Sequence, residues 1–108
     1  MSIKEDLQQL ADRMNAKSEP IASLYAVYQF NIGDADPIQV AFDNAKVQVL
    51  EKATETADCT LTLSEKNFRK LLADDLNATM AFMTGSLKID GKLGLALKLQ
   101  EVLKQYAV

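Results

Sequence analysis

The stretch Lys92-Leu-Gly-Leu-Ala-Leu-Lys-Leu-Gln-Glu-Val-Leu103 decides how the second half of this chain folds. Its leucines at 93, 95, 97 and 99 recur at every second residue, the period of a strand with one buried face. On a helical wheel advancing about 100° per residue, however, Leu95, Ala96, Leu99, Val102, Leu103 and Tyr106 share an arc of roughly 120°, an ordinary core-facing stripe. As a strand the run would exceed the usual length of about five or six residues and lose its alternation after Leu99. The spacing therefore predicts a helix. It leaves Leu93 and Leu97 off the stripe, beside Gln100 and Lys104, where full exposure of each forgoes roughly 1.5–3 kcal/mol. Both are expected to be covered, either by the first helix or another part of the same fold, which general burial tendencies favour, or by a removable cover, an apolar ligand or a membrane.

Working backwards from this helix, Asp90-Gly91 reads as a turn and Ser86-Leu-Lys-Ile-Asp90 as a strand with Leu87 and Ile89 inward. Asn77 can cap a short helix carrying Met80, Phe82 and Met83 and closed by Gly85. Ser64 caps the helix before it, with Phe68, Leu71, Leu72 and Leu76 at helical spacing. Ala57-Asp-Cys-Thr-Leu-Thr-Leu63 alternates cleanly, which predicts a strand of an antiparallel sheet with one face in the core and the other wet. Three earlier strands are predicted over 24–32, 38–43 and 46–51, separated by turns at Gly33–Pro37 and Asp43–Asn44. The chain opens with a helix: Ser2 and Glu5 form a capping-box pattern, and Ile3, Leu7, Leu10, Ala11 and Met14 share one face. Pro20 ends that region.

All 108 residues make one domain, 1–108, large enough for its own core. The chain is 48% hydrophobic and 25% charged, a soluble globular composition, and no apolar run approaches the length of about eighteen residues that spans a bilayer. The net charge of −3 argues against a nucleic-acid or anionic-membrane binder, both of which would select a basic face. The polar N-terminus does not resemble a signal peptide, and the single cysteine cannot form an internal disulfide, so a cytoplasmic setting is expected.

The sequence holds no histidine, which removes Ser-His-Asp and Cys-His catalysis and the commonest general base. Asp34, Asp36, Asp74 and Asp75 read as turn and surface carboxylates, since no calcium-loop spacing follows them. No phosphate-cradling glycine motif is present, and Cys59 falls on an inward strand face as a small hydrophobe. No enzyme, metal site or cofactor is expected. What remains is an excess of large apolar residues late in the chain, which suits either an ordinary core or a concave apolar pocket between helices and sheet.

The segments Ala57-Asp-Cys-Thr-Leu-Thr-Leu63, Ala81-Phe-Met-Thr-Gly-Ser-Leu-Lys-Ile-Asp-Gly91 and Leu93-Gly-Leu-Ala-Leu-Lys-Leu99 resemble the sterol carrier protein type 2 domain family. The match is specific from residue 57 to about 103 and topological before that. The resemblance implies an α+β fold: a five-stranded, mainly antiparallel sheet with helices packed on one face, enclosing an apolar tunnel. It implies a non-catalytic intracellular carrier of fatty acyl chains, acyl-CoA, sterol-like or isoprenoid lipids. The alternative is an interaction module with a filled cavity that docks a lipid-metabolising enzyme or self-associates. Positions matching the family's tunnel lining are Phe30, Ile32, Val40, Phe42, Leu71, Leu72, Leu76, Met80, Phe82, Met83, Leu95 and Leu99. Expected partners are a lipid or fatty-acyl ligand, a partner enzyme and a transient membrane contact, with the chain a monomer or weak dimer. Two departures stand out: the peroxisomal Ser-Lys-Leu tripeptide of several members is missing at the C-terminus, and the first strands lack the tryptophan many members carry. Release of a lipid needs a moving part, and the helix after Gly91, with Gly94 inside it, is the expected hinge.

Overall fold

The strand at the centre of the sheet, β1 (Ala26–Ile32), turns Ala26, Tyr28, Phe30 and Ile32 into the core and the residues between them outward. In a computed structural model, which describes residues 2–50, 52 and 54–106, β1 is flanked by β2 (Ile38–Asp43) and β4 (Cys59–Leu63). Beyond these lie β3 (Lys46–Leu50) and β5 (Leu87–Gly91), giving the order β3-β2-β1-β4-β5. Only β1 and β4 run parallel; the other three pairings are antiparallel, so the expected mainly antiparallel, five-stranded α+β fold is what forms. Leu24, expected inside the first strand, is buried just ahead of it, and Glu51, expected at the end of the third, lies outside the described residues.

The helices are α1 (Ile3–Ala16), α2 (Glu65–Leu72), α3 (Ala78–Thr84) and α4 (Leu93–Lys104); the first three start at the capping residues read from the sequence, and α4 starts at Lys92 without a side-chain cap. The Ser2, Ser64 and Asn77 side chains accept hydrogen bonds from the backbone N–H groups of Glu5, Asn67 and Met80, each satisfying a donor that a helix start leaves unpaired. Gly85 closes α3 at φ 85°, the left-handed conformation that favours glycine. The leucine run is helical, as its wheel predicts, with Ala96, Leu99, Val102 and Leu103 buried.

The segments that carry the family resemblance meet at one junction. Asp58 accepts the Val27 N–H through its carboxylate at 2.8 Å and donates its own N–H to the Val27 carbonyl. It thereby fixes the register with which β4 starts beside β1. Cys59 lies opposite Gly91 in the β4–β5 ladder. A Cβ on Gly91, whose φ is +110°, would come within 2.5 Å of the Asp58 carbonyl. The Ala-Asp-Cys and Asp-Gly motifs are thus construction points, where backbone approaches backbone more closely than a side chain allows.

One expectation about the wet face changes. Gln39 alternates with core residues and reads as solvent-facing, yet it is fully buried. The β3–β4 connection crosses the outer face of the sheet, where the Gln39 amide donates to the Glu55 carbonyl and accepts the Glu55 N–H at 2.7 and 3.0 Å. Gln39 also donates to Gln29. A backbone segment laid over a sheet needs hydrogen-bond partners, and this side chain supplies both kinds.

Candidate functional site

Between α1 and the inner face of the sheet lies a void of about 20 Å³, room for roughly one water. Its walls are entirely apolar: Leu7, Leu10, Ala11 and Met14 from α1, Phe30, Val40, Phe42, Val47 and Val49 from the sheet, and Leu72, Leu99 and Leu103 from α2 and α4. The expected tunnel is therefore a small gap in this structure, at least tenfold below the roughly 300–1,000 Å³ of sites that hold small organic ligands.

Phe30, Val40, Phe42, Leu72 and Leu99 of the tunnel-lining positions come together around this void. Ile32 and Leu71 are buried core, Leu76 and Leu95 are half-buried at its margin, and none of these four lines it. Met80, Phe82 and Met83 stand at the surface, 60%, 43% and 76% exposed. The remaining wall of the void comes largely from α1, which is not among the tunnel-lining positions. The α1 spacing announces a buried stripe, but a stripe says that a helix is covered, not what it covers.

A surface groove between α1 and the end of α2 is lined by Asp6, Gln9, Leu10, Asp12, Arg13, Leu72 and Ala73. Leu10 and Leu72 belong to both the groove and the void, so these two side chains are the partition between interior and solvent. Across the same seam Arg69 of α2 pairs with Asp6 of α1, an ion pair at the surface. That hydrogen bond to Asp6 raises the Arg69 guanidinium above its already high pKa.

The two ends of α1 are anchored differently. Near its C-terminus the Asn15 side chain donates to the Val47 carbonyl and accepts the Val47 N–H, at 3.0 and 2.9 Å, attaching the helix to β3. The Tyr106 hydroxyl donates to the Lys17 carbonyl just past the helix. Nearer the N-terminus, the Asp6–Arg69 pair bridges to α2 through groups in contact with water.

By contrast α4 is tied along its length. The buried Tyr28 hydroxyl donates to the Leu95 carbonyl at 2.7 Å, and Gln100 accepts the Ala78 N–H and donates to the Leu76 carbonyl. Burial pushes the Tyr28 phenol well above its ordinary pKa, with smaller contributions from Cys59 and Asp58. Gly94, the expected hinge, lies in the first turn of α4 with open space where a Cβ would go, so no close contact requires glycine there. Cys59 is fully buried, and burial raises its thiol pKa, which disfavours the reactive thiolate. Among the described residues no helix is long and apolar enough to cross a membrane.

Residues 7–104 match the SCP-2 sterol transfer family. The chain belongs to that family. Human sterol carrier protein 2 is 42% identical over 59 residues, which cover 55% of this chain and 11% of the human protein. The chain thus spans about a tenth of that relative's length. The solution structure of the sterol carrier protein domain 2 of Helicoverpa armigera superposes with a TM-score of 0.79 at 27% identity, over 95% of this chain and 86% of that one. Palmitated SCP2L2 from Aedes aegypti superposes with a TM-score of 0.69 at 25% identity, over 95% of each chain. The fold and the family agree with what the sequence motifs imply.

Proposed function

We propose that this chain is a non-catalytic carrier for single-chain lipids, fatty acids or their thioesters, which it holds between α1 and the inner face of the sheet. The observation that carries the reading is the wholly apolar void behind Leu10 and Leu72, in a family of lipid carriers one of whose solved relatives is palmitated. Burial of each methylene contributes about 0.8 kcal/mol, so a sixteen-carbon chain offers a gross driving force near 10 kcal/mol before ordering and association costs. The void must expand to accept it. The element best suited to move is α1, which can swing about its Asn15 end when the Asp6–Arg69 bridge opens, drawing Leu7 and Leu10 away from the sheet. The site residues on this reading are Phe30, Val40, Phe42, Leu72 and Leu99, joined by Leu7, Leu10, Met14, Val47 and Leu103.

The test is calorimetric titration with palmitate, oleate and palmitoyl-CoA. Saturable one-to-one binding to the chain is expected, with a negative heat-capacity change from apolar burial. Ala11→Leu, which grows into the void from α1, is expected to weaken palmitate roughly tenfold while the chain stays folded. If none of the three ligands binds, the carrier reading is wrong.

A further inference from the structure

Helix α3 is built inside out. It packs on β5 with its smallest apolar residues, Ala78 and Ala81, and leaves Met80 and Met83, with Phe82 on its flank, at the surface. Gln100 ties α4 to the start of α3, accepting the Ala78 N–H and donating to the Leu76 carbonyl. Leu93 and Leu97 precede Gln100 at helical spacing on that same side of α4 and stay 45% and 39% exposed. The fold therefore does not cover the two leucines that lie off the core stripe, and five large apolar side chains share one face. Amphipathic helices bury such residues, and an apolar gathering of this kind marks a surface that meets something.

Its area and charge say what that is. At roughly 200 Å² for the whole surface of a side chain of this size, the five expose about 500 Å². A stable homodimer buries about 800 Å² on each partner, about 65% of it apolar, which is again about 500 Å². A two-fold axis sets a surface against its own copy, so a charge near the axis meets its like. Helix α3 has no charged residue at all. The margin carries both signs, Asp75 in the groove beside Met80 and Lys92 ahead of Leu93, while Lys98 lines a separate groove with Glu19. Lys88 and Asp90 of β5 lie on the other face of the sheet. An anionic bilayer would select a basic rim and an unrelated protein a complementary charged one; this face has neither.

We infer that the α3–α4 face, Met80, Phe82, Met83, Leu93 and Leu97, joins two copies of this chain about a two-fold axis. Met and Phe are enriched in the cores of such interfaces and charged residues are depleted, as they are here. The inference goes beyond the carrier reading and does not depend on it. Helix α3 lies over β5 and α1 over β3, at opposite edges of the sheet, so the pairing leaves the seam between α1 and α2 open to solvent.

The experiment is sedimentation equilibrium of the whole chain from about 1 to 300 μM, with methyl NMR of its methionines over the same range. Wild type is expected to pass from monomer to dimer. The Met80 and Met83 methyl signals are expected to move with concentration, while that of Met14, buried on α1, stays in place. The double variant Met80→Asp/Met83→Asp, at exposed positions, is expected to associate at least roughly tenfold more weakly, with an unchanged Met14 signal reporting an intact fold. Leu97→Lys, which reaches the face from α4, is expected to weaken association several-fold. A wild type that stays monomeric throughout overturns the inference, including one that floats with phosphatidylglycerol vesicles instead. So does a dimer that the double variant leaves intact, or one whose formation moves Met14 and neither Met80 nor Met83.

Discussion

The two ends of α1 are held by different physics. At the C-terminal end Asn15 makes a matched pair of hydrogen bonds to the Val47 backbone and Tyr106 donates to the Lys17 carbonyl. Toward the N-terminus Asp6 and Arg69 form a bridge in contact with water. Hydrogen bonds to partly buried backbone are costly to lose because the orphaned groups stay desolvated, whereas an exposed ion pair is readily replaced by water and salt. The difference makes α1 a cover with a fixed edge and a releasable edge, and the partition residues Leu10 and Leu72 lie toward the releasable side.

The largest way to break the comparison is Asn15→Ala. It orphans the Val47 N–H and carbonyl together and is expected to cost about 2–3 kcal/mol in urea denaturation. A loss below about 0.5 kcal/mol would mean that the fixed edge is held elsewhere. Tyr106→Phe removes one hydrogen bond at the same edge and is expected to cost about 1 kcal/mol in the same measurement.

Alkaline titration sharpens the same point. Burial raises the Tyr106 phenol, with a smaller contribution from Glu19, and raises Tyr28 more strongly. Both phenols therefore hold their protons more tightly in the folded chain than in the unfolded one. Their contribution is fully present below the unfolded pKa of about 10 and is lost as pH rises beyond it. Denaturation midpoints are expected to fall above about pH 10, and the fall should shrink in Tyr28→Phe.

The smallest expected effect on stability belongs to Asp6→Asn. It weakens the exposed bridge and should leave the denaturation midpoint nearly unchanged, while palmitate association in stopped-flow becomes several-fold faster. Equal association rates for the variant and wild type would place the opening at another seam. Gly94→Ala serves as the control at α4: with open space for the methyl it should stabilise the helix by about 0.5–1 kcal/mol and leave the association rate unchanged.

Much of the fold was legible because each element carries its own punctuation. Ser2, Ser64 and Asn77 start helices, Gly85 stops one, and the alternation in Cys59–Leu63 selects the buried face without ambiguity. The leucine run was resolved by its residues after 99, where the strand pattern fails and the helical stripe continues. Gln39 was misleading because alternation records the strand's own two faces and is blind to a connection laid over one of them.

The candidate site was less legible. Phe30, Val40, Phe42, Leu72 and Leu99 meet at the void, but the α1 residues opposite them read only as a generic apolar stripe. Met80, Phe82 and Met83 read as inward because large apolar side chains usually are. The contrary signal was Ala78 with Ala81 opposite Met80 and Met83 on the same short helix: small residues permit close packing on β5 and leave the two methionines facing out, while Phe82, one turn after Ala78, is the least exposed of the three.

The most direct measurement is a set of isotope-filtered NOEs from the chain methylenes of bound palmitate to the methyl groups of the protein. Contacts are expected to Leu7, Leu10, Val40, Val47, Leu72 and Leu103, between α1 and the sheet. Contacts confined to Met80, Met83, Leu93 and Leu97, with none to α1, would contradict it and put the lipid on the outer face instead.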